Sequence, residues 1–126
     1  MAAEERSYTV DQAQDLLPAL TEVLVALRRE LGLATAEAGL EQARSGAGHN
    51  GGGEAASAML AAGRRVERQM AFLQEHGILL RDLESGLVDF PAERGRNPIY
   101  LCWRLGESEI GFWHPRDRGF ADRRSL

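Results

Sequence analysis

Apolar positions in the first third of the chain recur at alternating steps of four and three residues. Ala13, Leu17, Leu20, Leu24, Leu27, Leu31, Ala34 and Ala38 fall on one stripe, which predicts a continuous helix of coiled-coil type from about residue 10 to about residue 44. Thr9 stands where an N-cap belongs, with Gln12 three residues on to complete a capping box and Asp11 placed favourably for the helix dipole. Pro18 removes one backbone donor, so a local bend is expected there. Leu16 and Val23 widen the apolar face near the start, and Gly32 and Gly39 weaken the helix towards its end. A second stripe, Met59, Ala62, Val66, Met70 and Leu73, predicts another helix that starts near Glu54 and is closed by His76 and Gly77. The run between them, Ser45 to Gly53, reads S-G-A-G-H-N-G-G-G. A glycine-rich run can cradle phosphate, but here no strand precedes it and no Gly-Lys-Ser/Thr follows. It is read as the connection of an antiparallel hairpin, with His49 and Asn50 in solvent.

From Ile78 the period changes to two. Four strands are predicted, at Ile78–Leu83, Leu87–Phe90, Ile99–Leu105 and Glu109–His114. The turns between them are Glu84 to Gly86, Pro91 to Pro98 and Gly106-Glu107. The fold class is therefore α+β: a long antiparallel two-helix hairpin (residues 9–77) followed by a four-stranded antiparallel β-meander and tail (residues 78–126), in one domain of residues 1–126. The first stripe is longer than the second helix can cover, so a homodimer is expected.

Register decides which side chains meet, because a slip of one residue moves every side chain to the other face. If Gly106-Glu107 is a two-residue turn, Trp103 lies opposite Ile110 and Leu101 opposite Phe112. One face then carries Ile99, Leu101, Trp103, Leu105, Ile110 and Phe112, with His114 at its rim, and packs on the helices. The other collects Asp89, Tyr100, Cys102, Arg104, Glu109 and Trp113, with Arg104 opposite Glu109. A face that gathers tyrosine, tryptophan, arginine and acids reads as a contact surface, and these six are the candidate ligand- or partner-binding residues.

The same stretch carries a resemblance. G-L-V-D-F-P at 86–91, L-C-W-R-L-G-E at 101–107, I-G-F-W-H at 110–114 and G-F-A-D-R at 119–123, with L-L-P in the first helix, cover nearly the whole chain. On these motifs the chain resembles an uncharacterised bacterial family, domain of unknown function 2203. The resemblance implies the helical-hairpin-plus-sheet layout derived above and brings no activity or substrate with it.

Composition narrows the class. With 126 residues, 44% apolar and 27% charged, the chain suits a soluble globular domain. A net charge of -4 and a pI near 5.4 speak against a nucleic-acid partner. All fifteen basic residues are arginine, which fits the codon usage of a GC-rich genome. One cysteine cannot form an intrachain disulfide, the polar start lacks a signal-like segment, and no run is apolar enough for a membrane span, so a cytoplasmic location is expected.

For metal chemistry, His114 with Asp89 or Asp117 is the candidate ligand set for a divalent ion, although no paired Cys or His spacing announces it. In the register above, Cys102 and His114 point to opposite faces and should not share a metal. Glu107 and His114 stand at opposite ends of a strand, roughly 20 Å apart. Two classes remain: a dimeric binding module that takes a small molecule or a protein on its polar-aromatic sheet face, and a small metal-dependent enzyme with a His114/carboxylate site. The binding module takes precedence, because no pair of titratable groups converges in this register.

Overall fold

The computed structural model describes residues 6–33 and 52–126. Two helices precede a five-stranded antiparallel sheet. Helix α1 spans Val10–Arg28 and runs on as a π-helical turn, Arg29–Leu33; helix α2 spans Gly52–Glu75. The capping box forms as expected: the Gln12 amide donates to the Thr9 hydroxyl at 3.1 Å and the Thr9 amide donates to the Gln12 side chain at 3.0 Å. Ala13, Leu17, Leu20, Val23, Leu24 and Leu27 are buried along α1. The glycine-rich run as far as Gly51, and the helical continuation expected from residue 34 to residue 44, lie outside the described residues.

Among the described residues of α2 only Leu73 is buried, while Met59, Leu60 and Met70 are exposed. An ion pair between Arg65 and Glu30 at 2.6 Å ties α2 to the π-helical turn. Tyr8, just before α1, is part of the core, stacks edge-on against Phe90 at 5.3 Å and donates its hydroxyl hydrogen to the His76 carbonyl. Its amide donates to the Pro91 carbonyl at 2.7 Å.

The strands follow in sequence order across the sheet: β1 Leu79–Asp82, β2 Leu87–Arg94, β3 Asn97–Arg104, β4 Phe112–Pro115 and β5 Arg124–Ser125, with a 3₁₀ turn at Phe120–Asp122. This corrects the sequence reading in three places. The segment from Pro91 is strand and not loop: β2 continues to Arg94 and turns at Gly95-Arg96, where Gly95 takes φ +64°. That fits a two-residue hairpin with glycine at its first central position. The tail adds a fifth strand, since Phe112 pairs with Ser125 and Trp113 with Arg124.

The third correction is the register of β3 against β4. Gly106-Glu107 is not a two-residue turn; residues 105–111 form an irregular loop, and Leu101 pairs with Trp113 instead of Phe112. The loop is built by side chains. Gly106 takes φ +104°, the Trp103 indole donates to the Glu107 carbonyl at 3.0 Å, and the Glu107 carboxylate accepts the Arg104 amide at 2.7 Å. A loop anchored on its own glutamate does not need the two-residue geometry. The slip is one residue, and it inverts β4.

The core therefore joins Val88, Phe90 and Ala92 of β2, Ile99, Leu101 and Trp103 of β3, and Trp113 of β4 to the buried stripe of α1 and to Leu73. Among the described residues, no helix is long and apolar enough to cross a membrane.

Candidate functional site

The face of the sheet turned away from the helices is where the inverted strand matters. Asp89 of β2 lies directly across from Cys102 of β3, which lies across from Phe112 of β4. His114, two residues beyond Phe112, pairs with Tyr100 and so sits diagonally to Cys102 on the same face. Diagonal neighbours on an antiparallel sheet are within reach of long side chains. Three adjacent strands thus contribute one chemically capable side chain each. The ligand atoms of Asp89, Cys102 and His114 all lie within 4.8 Å of one another. The expectation that Cys102 and His114 part company is overturned with the register that produced it.

All three side chains are buried, with His114 and Asp89 each 2% exposed and Cys102 1%. Burial of polar groups on the outer face of a sheet needs a cover, and the tail supplies it. Arg116 lies over the Tyr100 ring at 4.5 Å, Arg123 over the Phe112 ring at 3.9 Å and over Phe120 at 4.4 Å. Arg123 is fixed by a two-pronged pair with Glu107, both bonds at 3.0 Å. Burial pushes the Glu107 carboxyl upward, but the Arg123 pair and the Arg104 amide together outweigh it and leave the group below its ordinary value.

Inside this cover every contact is directional. The Asp89 carboxylate accepts from Arg81 Nε at 2.9 Å on one oxygen and meets His114 Nε2 at 3.0 Å on the other. The second ring nitrogen of His114, Nδ1, lies 2.8 Å from the Pro115 carbonyl oxygen. A carbonyl oxygen only accepts, so Nδ1 carries the hydrogen, and Nε2 is the ring atom presented to Asp89. Burial, then the charge of Asp89, pushes the Cys102 thiol up to about 12, with Arg123 pulling the other way.

A cavity of about 390 Å³ opens beside the cluster. Asp89 and His114 lie on its wall together with Arg81, Arg116, Asp117 and Arg118.

The six candidate contact residues and the metal candidates are thus redistributed. Asp89 and Cys102 come together with His114. Tyr100 is half-buried between Arg81, at 5.1 Å, and Arg116. Asp117 borders the cavity from the tail. Arg104 is exposed at the end of β3, paired with Leu87 across the strands, and its guanidinium lies over Phe120 at 5.4 Å. Glu109 is exposed in the loop and does not face Arg104 from a strand. Trp113 packs in the core, between Arg94 at 4.6 Å and Arg124 at 5.1 Å, and leaves the candidate surface. Arg81 was missed by the sequence reading. The signal for Arg81 was its step of two from Leu79, which pairs with Asp89 and so places both on this face.

The model of an uncharacterized conserved protein family, DUF2203, matches residues 6–126. No curated protein and no solved structure matches the chain.

Proposed function

The chain belongs to the DUF2203 family, and from that footing we propose that it is a binding module whose recognition site is the cavity on the outer face of the sheet, taking a small anionic molecule. The observation that carries this reading is the cavity wall: Arg81, Arg116 and Arg118 face the same space of about 390 Å³, with Leu87 and Phe120 beside them. That volume falls in the range of small-molecule sites, roughly 300–1,000 Å³. Guanidinium groups are planar forks matched to carboxylate and phosphate. Asp89 and Asp117 set the orientation of a bound anion by repulsion. The Cys102 thiol, the only one in the chain, suits a reducing, cytoplasmic setting.

The unit is read as a homodimer. Met59 and Met70 belong to the same α2 stripe as Leu73, yet they are 75% and 44% exposed. A second copy seated on this unclosed stripe would bury it.

Calorimetric titration with inorganic phosphate and with a tricarboxylate tests the cavity. One saturable site is expected, weakened roughly tenfold or more by Arg118→Ala through loss of a charge-assisted hydrogen bond. No saturable heat with either anion, or unchanged affinity in the variant, would remove the cavity from consideration.

A further inference from the structure

We propose that Asp89, Cys102 and His114 form a binding site for a divalent transition-metal ion of the zinc class. The inference concerns the wall of the cavity described above and does not depend on which ligand that cavity takes.

The first argument is the donor set. One carboxylate oxygen, one imidazole nitrogen and one sulfur are drawn from three neighbouring strands, with all ligand atoms within 4.8 Å of one another. In a tetrahedral zinc site, with bonds of about 2.0–2.3 Å, ligand atoms stand roughly 3.3–3.8 Å apart. Closing the cluster on an ion therefore needs side-chain movements on the order of 1 Å or less, not a change of backbone. The Asp89 oxygen and His114 Nε2 are already 3.0 Å apart.

The second argument is orientation. A metal-bound histidine nearly always donates its other ring hydrogen to a carbonyl or carboxylate, which fixes the tautomer and aims the lone pair. His114 does this through Nδ1 and the Pro115 carbonyl at 2.8 Å. The carboxylate is held in the same way: the Asp89 oxygen not facing His114 accepts from Arg81 at 2.9 Å. These partners orient the ligand atoms from behind.

The third argument is access. Asp89 and His114 border the cavity while Cys102, on the central β3, does not. An ion held by these three residues keeps its remaining coordination position towards the cavity, the arrangement of sites that bind an exogenous ligand. Charge also closes: a dication meets one carboxylate and one thiolate, with the thiol proton released to solvent as the sulfur–metal bond forms.

Cobalt(II) titration of the full chain, purified without a histidine tag and stripped with chelator, tests the site. The expected result is one equivalent bound, with tetrahedral visible bands and a near-ultraviolet thiolate-to-cobalt charge-transfer band, all displaced by zinc. Because Cys102 is the only cysteine, that band identifies the ligand in the unmutated protein, whatever the variants do to folding. Cys102→Ser should abolish the charge-transfer band, and His114→Gln should abolish stoichiometric binding, with circular dichroism confirming the fold of each. Absence of the charge-transfer band in the unmutated protein would overturn the proposal, as would its persistence in Cys102→Ser. Phosphate affinity is read by calorimetry on the metal-free protein, so failure of the cavity reading and failure of the metal site are separate results.

Discussion

Gly86 opens the segment G-L-V-D-F-P and precedes the strand that carries Asp89. It holds φ +71°, and a Cβ added to it would stand 2.5 Å from the Leu105 Cβ. Its carbonyl accepts the Leu105 amide at 3.0 Å, so the two backbones are clamped at that approach. Gly86→Ala therefore incurs two costs. A non-glycine residue in the left-handed region costs about 1–2 kcal/mol, and forcing a methyl group into a filled space adds roughly 1–3 kcal/mol. Gly95 supplies the control: its φ is +64°, but nothing lies within 4 Å of an added Cβ. Gly95→Ala should show the first cost alone. In urea unfolding, with a slope of about 2 kcal/mol per molar, the excess for Gly86 is on the order of 1 M in midpoint. Because the clashing atom is a Cβ, Leu105→Ala should not relieve Gly86→Ala, whereas Leu105→Gly should, giving a coupling of roughly 1–3 kcal/mol in a double-mutant cycle. Equal midpoints for the two alanine variants, within about 0.25 M or about 0.5 kcal/mol at that slope, would refute the close approach.

Three further outcomes follow from the same geometry. Trp113→Ala should cost about 3–5 kcal/mol in chemical unfolding, as a buried tryptophan does, and a change near zero would return Trp113 to the surface. Glu107→Gln should lower stability at neutral pH by up to roughly 1 kcal/mol, given the partial exposure of the pair. Since the folded carboxyl titrates below its ordinary value, the pair's contribution is full above the unfolded value, about 4.3, and is lost as pH falls through the folded one. The gap between variant and parent should close in that acid window, and a gap independent of pH would contradict the pair. Light scattering should give about twice the 13.8 kDa of one chain, reverting to one chain in Met59→Glu/Met70→Glu; a single-chain mass for the parent would dispose of the dimer.

Much of the scaffold was legible because its signals are local. Thr9 and Gln12 are three residues apart and declare a helix start by themselves, and the α1 stripe needs only its own period. The strands were found wherever apolar and polar residues alternate. Pro91 was misread as a strand terminator, since sequence does not tell which of a strand's two sides a given amide faces. The site was half legible: Asp89, Cys102 and His114 were singled out individually, but their convergence turned on the loop after β3. That loop is set by the Glu107 side chain on the Arg104 amide and the Trp103 indole on the Glu107 carbonyl, contacts that no two-residue turn signature encodes. The exposed methionines of α2 show the same limit, because a stripe predicts a helix face but not what closes it.

The bond from the Tyr8 amide to the Pro91 carbonyl also bears on how the sheet ends. In a strand the amide and carbonyl of one residue point to the same side. The Pro91 carbonyl turns away from β3 to meet Tyr8, so its missing N–H costs the ladder with β3 nothing. Pairing with β1 stops at Asp89, which leaves the outer margin of β2 from Pro91 to Arg94 beyond the reach of β1, a margin where a foreign strand could add. There it meets a residue without a donor, a carbonyl already engaged, and then the exposed charge of Glu93. Margins blunted by proline and charge resist the strand-by-strand addition that leads to fibres. The residue that disguised β2 in the sequence thus guards this margin against templated self-association.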